Sequence, residues 1–240
     1  MRTLIAFAAA LSLAAPITAA ACSPAPGYRV PTNMELVADA DLILLATVSE
    51  GDFAPDSTPE QQIEVQPLAA IKGEMPAGPL AMPGSIATGA DALLSNPYEL
   101  QEAHPQSFAG ACNRYMFPRG SRVLFFLKWE GDHWRAAGGP FSRWAEDVLT
   151  DEAPWLQIVR LYAEAAGLPA SERTAYLTAR RADYGAEGDG PVAQLIAMDI
   201  DRQLAGPNNP LREDLPPPPD DAPNDVDVWT INTKGAAAID

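Results

Sequence analysis

The spacing of apolar residues changes character near Thr150, and this change limits the fold more than any other feature of the chain. Before it, apolar side chains form short runs or alternate with polar ones, as in Leu42 to Val48 and Ile63 to Ile71, which predicts β-strands. After it, they recur every three or four residues from Trp155 to Ala166, which predicts an amphipathic helix. The chain is therefore expected to be an α+β protein with a sheet first and helices after it.

The strand-rich part, residues 22–146, contains several more short segments. Leu80 to Ile86 is a weaker strand with Pro83-Gly84 as a bulge or turn, and Arg122 to Trp129 and His133 to Ala137 predict a hairpin. A short helix from Met34 to Ala40 precedes them, with Thr32 or Asn33 as its N-cap. Several short strands with few helices favour a small OB-like β-barrel.

Two regions follow this barrel. Residues 147–205 predict a three-helix extension: after the first helix, Ser171 can cap a second, and Pro191 opens a third that Gly206-Pro207 closes. Residues 206–240 contain seven prolines and seven acidic residues against two basic ones, a composition expected to give a disordered tail. Within that tail, Val226 to Ile231 alternates like a strand that could add to a sheet edge.

The N-terminus has the pattern of a secretory signal peptide, which predicts an exported protein, periplasmic or secreted. Residues 1–21 combine Arg2, a short apolar run and small residues before Cys22. The apolar run is too short to span a bilayer. Cleavage after Ala21 makes Cys22 the first mature residue, and the alternative is that Cys22 carries a lipid anchor at the membrane surface.

Cys22 and Cys112 are the only cysteines. An even count in an exported chain predicts a disulfide, which would tie the flexible N-terminal segment to the folded body. A lipidated thiol cannot form a disulfide, so the anchor and the disulfide exclude each other. The absence of C-x-x-C argues against a dithiol redox catalyst.

Charge and motifs exclude several functions. Asp and Glu outnumber Lys and Arg by 32 to 16, which argues against nucleic acid as a partner. The sequence contains no zinc-binding, nucleotide-binding or serine-hydrolase motif, and its only histidines are His104 and His133, so we expect no metal, no cofactor and no enzymatic activity. His104 and three tryptophans near the end of the sheet are candidate binding residues, with a core role as the alternative for the tryptophans: Trp129, Trp134 and Trp144.

The order of features over residues 22–145 resembles the netrin-like domain, the OB-fold module also found in tissue inhibitors of metalloproteinases. The resemblance rests on Cys22 at the mature N-terminus, Ala38 to Asp41 before the first strand, Ile71-Lys72-Gly73, Cys112 before Phe117 to Gly120 and Val123 to Leu127, and the loop from Gly138 to Arg143. In that family, inhibitors chelate the protease zinc through the N-terminal cysteine, which here is Cys22. The inhibitor pattern of a second cysteine two residues later is missing.

These observations predict an exported, non-catalytic binding or interaction protein whose partner is an unknown protein or a small ligand. One alternative is an enzyme outside the cytoplasm that uses the long segment from Thr88 to Ala111, with His104 as its general base. The other alternative is a protease inhibitor acting through Cys22.

Overall fold

A computed structural model describes residues 24–53, 61–186 and 190–212. The described strands are β1 (Leu42–Gly51), β2 (Gln62–Lys72), β3 (Leu80–Pro83), β4 (Ser85–Ala87), β5 (Met116–Pro118), β6 (Arg122–Trp129), β7 (Trp134–Ala136) and β8 (Ala145–Asp147). The α-helices are α1 (Asn33–Asp39), α2 (Pro154–Gly167), α3 (Ala170–Ala186) and α4 (Pro191–Leu204). The expected α+β class, with a sheet followed by helices, is confirmed.

The main sheet is antiparallel and has six strands. Five of them follow the order β3-β2-β1-β6-β7, and β8 pairs with the other part of β6. A second, parallel pair joins β4 to β5. Among the described strands the ladder ends at β3 on one side and β7 on the other, so the closed barrel expected from the sequence is not found.

Both faces of the central strands are buried, which explains their continuous apolar runs. Phe125 and Phe126 are neighbours on β6, and successive side chains of a strand point to opposite faces. The Phe126 ring lies 5.6 Å from Trp155 on α2, whereas the Phe125 ring lies 5.9 Å from Trp144 on the other face. Helix α2 therefore covers one face of the sheet, and Trp144 together with Phe117 of β5 covers the other.

The short helix α1 begins as the sequence predicts. The Thr32 hydroxyl accepts a hydrogen bond from the Glu35 amide at 3.3 Å, and the Thr32 amide donates to the Glu35 carboxylate at 2.9 Å. This reciprocal capping box satisfies two amides that a helix start leaves without partners. None of the helices in the described ranges has the length and apolar character needed to cross a membrane.

The first residues of the predicted tail are ordered parts of the fold. Residues 206–212, assigned to the tail by composition, pack against the N-terminal strap, which we define as residues 24–31. The Leu211 amide donates to the Tyr28 carbonyl at 2.9 Å, and the Gly27 amide donates to the Arg212 carbonyl at 3.2 Å. Proline has no backbone N–H to donate, but the donors here are the amides of Leu211 and Gly27. The prolines of this segment therefore do not prevent the pairing. Residues 1–23, which include the predicted signal peptide and Cys22, and residues 213–240 lie outside the described ranges.

Candidate functional site

The two free edges of the main sheet face each other across a cavity of about 330 Å³, which we call the seam cavity. Met82 and Pro83 reach it from β3, and Trp134, Arg135 and Ala136 reach it from β7. The place where the barrel fails to close is therefore the place where the cavity opens. Its remaining walls come from β4, β6 and four connecting segments: Gln61, Gly84, Ser85, Asn113, Arg114, Tyr115, Leu127 and Trp144.

Two tryptophans give the seam cavity much of its apolar wall. Trp144 is 4% exposed, and its ring packs edge-on against Phe117 with centroids 5.9 Å apart. Trp134 is half-buried on the opposite, β7 side of the cavity. Aromatic walls of this kind provide a large contact area for flat or apolar ligands.

Two residues of the cavity wall carry buried polar atoms that lack a hydrogen bond. Neither the Ser85 hydroxyl oxygen nor the Trp144 Nε1 atom has a partner in the part of the chain that the structure describes. A buried polar atom without a partner typically costs about 1–3 kcal/mol. A ligand that supplies an acceptor to such an atom after a small side-chain rotation would recover part of that cost.

Arg114 forms a charged but neutralised part of the wall. Its guanidinium group lies 2.9 Å from the Asp147 carboxylate, with both side chains about 1% exposed, and it stacks 4.7 Å above the Phe117 ring. The Asp147 charge comes from β8, whose three residues are all buried. Because its charge is paired, Arg114 supports the wall and offers little net charge to a ligand.

Of the three tryptophans named from the sequence, Trp129 and Trp134 form a pair and Trp144 is a separate core residue. Trp129 and Trp134 are cross-strand partners of the β6–β7 hairpin, with ring centroids 5.0 Å apart. Trp129 is 46% exposed and does not line the seam cavity, whereas Trp134 and Trp144 both do. Trp144 thus belongs to the core, and both Trp134 and Trp144 form part of the cavity wall.

His104 lies in the long loop, which we define as residues 88–111, but it is enclosed within it. Its side chain is buried: Nδ1 accepts a hydrogen bond from the Gln106 amide, and Nε2 lies 3.2 Å from the Leu93 carbonyl. Burial, together with the positive charge of Arg114, lowers the pKa of His104 to about 4. The imidazole is therefore neutral at pH 7, and both of its nitrogens already have partners within the loop.

Two adjacent carboxylates from β8 hold the long loop in place. Glu146 accepts the His104 amide at 2.9 Å and the Ser95 hydroxyl at 2.6 Å. Asp147 accepts the Ser95 amide at 2.7 Å. These are structural contacts, because the acceptor oxygens are directed at backbone amides of the loop.

The structure describes Cys112 but not Cys22. Cys112 is 5% exposed, and no described cysteine is a free thiol. Cys22 lies outside the described residues, so its disulfide with Cys112, its lipidation and its zinc-chelating role all stay predictions. Within residues 24–53, 61–186 and 190–212, no three His, Cys, Asp or Glu residues are grouped so that they could hold a metal ion.

Sequence reasoning missed Ser85 and Arg114 as wall residues. Ser85 follows Gly84 in a segment whose turn was predicted, but its burial depends on parallel pairing with the distant strand β5. Arg114 could have been suspected from its place between two apolar segments, since an arginine there needs a buried partner. Comparison of the chain with protein-family models, with curated proteins and with solved structures found no match in any of the three.

Proposed function

We propose that the chain is an exported, non-catalytic binding protein whose seam cavity holds a small, mainly apolar ligand. The observation that carries the proposal is the cavity itself, which is enclosed by Trp134, Trp144 and aliphatic side chains between two free sheet edges. Its volume of about 330 Å³ is at the lower end of the range of ligand sites, which is about 300–1,000 Å³. The ligand we expect is therefore small.

The proposed fold is the netrin-like OB module. An OB-fold is a partly open five-stranded barrel, so an open seam between β3 and β7 is compatible with it. In this proposal the seam is the binding mouth of an incomplete barrel. Helix α2 packs on the opposite face of the sheet, and α3 and α4 pack on α2.

The expected ligand chemistry follows from the walls. Leu127, Met82 and the two indole rings favour a flat or branched apolar body. The buried Trp144 Nε1 atom is a donor, so a ligand with a carbonyl, ether or hydroxyl oxygen would fit best. A polyanion such as nucleic acid is disfavoured by the formal net charge of −16.

The test compares the two tryptophans of the hairpin. The probe is N-phenyl-1-naphthylamine, a neutral fluorophore that brightens in apolar sites. We expect saturable binding to the native chain, about tenfold weaker binding to Trp134→Ala, and at most a twofold change for Trp129→Ala, since about 1.4 kcal/mol of contact corresponds to tenfold. The two variants remove the same aromatic pair, but only Trp134 lines the cavity.

A second variant guards against a misfolded Trp134→Ala protein. Ala136→Leu adds volume to the cavity wall without removing a side chain and should also weaken the probe about tenfold. Cooperative urea unfolding of each variant verifies its fold. The proposal is wrong if Trp129→Ala and Trp134→Ala weaken probe binding equally, or if the fluorescence of the probe does not saturate with the native chain.

Export and the state of Cys22 form a separate part of the proposal. We propose that cleavage after Ala21 exposes Cys22 and that Cys22 pairs with Cys112, in keeping with the burial of Cys112 and the lack of a free described thiol. Intact mass of the exported protein tests this. A gain of two hydrogen atoms on reduction supports the disulfide, whereas an added diacylglyceryl group shows a lipid anchor and overturns it.

A further inference from the structure

A second concave surface lies where the N-terminal strap, the long loop and residues 206–212 meet. It is a groove of about 440 Å³, and we call it the strap groove. Its apolar floor and walls include Val30, Phe108, Phe141 and Leu211, and its polar rim includes Glu102 and Asn208. It shares no lining residue with the seam cavity.

Two phenyl rings stack at the strap groove. Phe108 and Phe141 lie with centroids 5.4 Å apart and an angle of 17° between the ring planes. Phe108 is nevertheless 57% exposed, although it belongs to a loop whose own interior is polar. A large aromatic side chain held in place and left open to solvent is typical of a contact surface for a ligand or partner.

The backbone beneath Phe141 is strained. Phe141 has a φ of 57°, which is rare and unfavourable for a bulky side chain. Its amide donates to the Cys112 carbonyl at 2.6 Å, and the Tyr28 hydroxyl donates to the Pro140 carbonyl at 2.6 Å. These two contacts fix the strained turn, and the strain maintains the Phe141 ring against Phe108.

Glycine is required beside this turn. Gly138 has a φ of 80°, and a Cβ atom there would lie 2.6 Å from Leu36 and 2.9 Å from Ser142. The turn is thus tightly wedged between α1 and its own next residues. A turn fixed from both sides presents a preformed surface, which lowers the entropic cost of binding.

The strap and the C-terminal segment complete the other wall. The Asn208 side-chain amide donates to the Val30 carbonyl at 2.9 Å, and the Leu211 amide donates to the Tyr28 carbonyl at 2.9 Å. Leu211 is 51% exposed and adds an aliphatic side chain to the groove. The walls are therefore tied together by one side-chain and one backbone hydrogen bond between the two ends of the described chain.

The charge in the lining of the strap groove is that of an acidic side chain. Glu102 is the one charged residue among the described residues that line it, and none of those residues is Lys or Arg. The long loop contains Asp91, Glu99 and Glu102 and neither Lys nor Arg. Arg143 lies behind the wall, where its guanidinium group donates to the Glu102 carbonyl and is 3.7 Å from Glu146.

We propose that the strap groove binds a small organic cation, with its apolar body on the Phe108–Phe141 stack and its ammonium group near Glu102. An aromatic face attracts a cation electrostatically, and a carboxylate at the rim adds a second attraction. An apolar groove with an acidic rim favours a positively charged partner. The chemistry of the ligand is thus an ammonium group, often alkylated, on an apolar or aromatic body.

The test uses two probes of matched size and opposite charge, phenyltrimethylammonium and benzenesulfonate. Binding is followed by chemical-shift changes in ¹H–¹⁵N NMR spectra of the mature chain. We expect the cation to bind at least tenfold more tightly than the anion, with the largest shifts at Phe108, Phe141 and Glu102. Phe108→Ala should abolish saturation, and Glu102→Gln should weaken the cation several-fold while leaving the anion no weaker.

The controls separate this site from the seam cavity and from self-association. Tyr98→Ala removes a ring of the same loop that is 61% exposed and does not line the groove, so it should leave cation binding unchanged. Trp134→Ala should also leave it unchanged. Equal affinity for both probes, or no binding, would overturn the proposal, as would a dimer in sedimentation that Phe108→Ala dissociates, because a second copy would then be the occupant.

Discussion

The interior of the sheet and the interior of the long loop are built from opposite kinds of side chain. Between β1 and β6 the buried residues are aliphatic or aromatic, for example from Val123 to Leu127. In the long loop most of the buried side chains are polar, namely Ser95, His104, Gln106 and Ser107, and they lie beside the apolar Leu100 and Ala103. The same loop exposes large apolar ones: Leu93, Leu94, Tyr98 and Phe108.

The difference follows from where each backbone finds its hydrogen bonds. A strand satisfies its amides and carbonyls through its neighbours, so its side chains are free to be apolar. The long loop has no ladder, and its buried amides need acceptors from side chains instead. Glu146 and Asp147 supply these acceptors from β8, and Arg114 balances the Asp147 charge.

The first prediction tests the charge balance, and it has the largest expected effect. Arg114→Leu leaves Asp147 buried without its cation, which should lower the free energy of unfolding by about 3–5 kcal/mol. Urea unfolding measures the change. Arg181→Leu is the matched control, because Arg181 pairs with Asp201 on the exposed surface of α3 and α4, and it should have little effect.

The double variant Arg114→Leu/Asp147→Leu sharpens this test. It removes both charges together, so it should be less destabilised than the single variant if the unpaired carboxylate is the main cost. It still removes the acceptor of the Ser95 amide, so full recovery is not expected. A double variant that is as unstable as the sum of the two single ones would contradict the interpretation.

The second prediction concerns pH. His104 has a pKa of about 4 in the folded chain because burial and Arg114 disfavour its charged form, against about 6.5 when unfolded. The unfolded chain therefore binds more protons between these values, and stability falls as the pH is lowered from 6.5 to 4. The expected slope from this group is at most about 1.4 kcal/mol per pH unit, and roughly 2–3 kcal/mol in all.

His104→Gln isolates this contribution, since its side chain does not titrate. Its free energy of unfolding should be lower than that of the native chain at pH 7 but should lose the extra slope between pH 6.5 and 4. An unchanged slope in His104→Gln would show that other groups govern the acid sensitivity.

The same contrast explains what could be predicted from the sequence. The buried strands β1 and β6 and the helix α2 have strong local periodicity, so their patterns were sufficient to locate them. The strand β8 was not predicted, because Ala145-Glu146-Asp147 has no apolar alternation. Its burial depends on Ser95 and His104, which are distant in sequence and supply the compensating hydrogen bonds.

The candidate sites were less predictable than the fold. The tryptophans were identified by residue type, but only the pairing of β6 with β7 separates Trp129 from Trp134 and brings Trp134 towards Trp144. The strap groove had no sequence signal, because it depends on Leu211 returning to Tyr28 across the whole chain. Their composition assigns residues 206–212 to the tail. This prediction is wrong for these residues because composition carries no information about hydrogen bonds to a segment that is distant in sequence.

The third prediction, with the smallest effect, compares the same substitution in the two regions. Ser95→Ala removes a hydroxyl that donates to Glu146 at 2.6 Å and accepts from the Asp147 amide at 3.0 Å. Ser49→Ala removes an exposed hydroxyl of β1 that donates to the Glu64 carbonyl at 3.0 Å. The Ser95 change should cost about 1–2 kcal/mol and the Ser49 change less than about 0.5, because only the first leaves a buried amide without a partner.

The place where Ser95→Ala loosens the structure is as informative as the free energy that it costs. If side chains from β8 replace a ladder for the long loop, Ser95→Ala should accelerate hydrogen exchange about tenfold at the buried loop amides of His104 and Gln106, with little change in β1 and β6. Ser49→Ala should alter neither region by that amount. Uniform acceleration across loop and sheet would mean that the two interiors open as one unit, so that the polar interior of the loop would have no independent stability to lose.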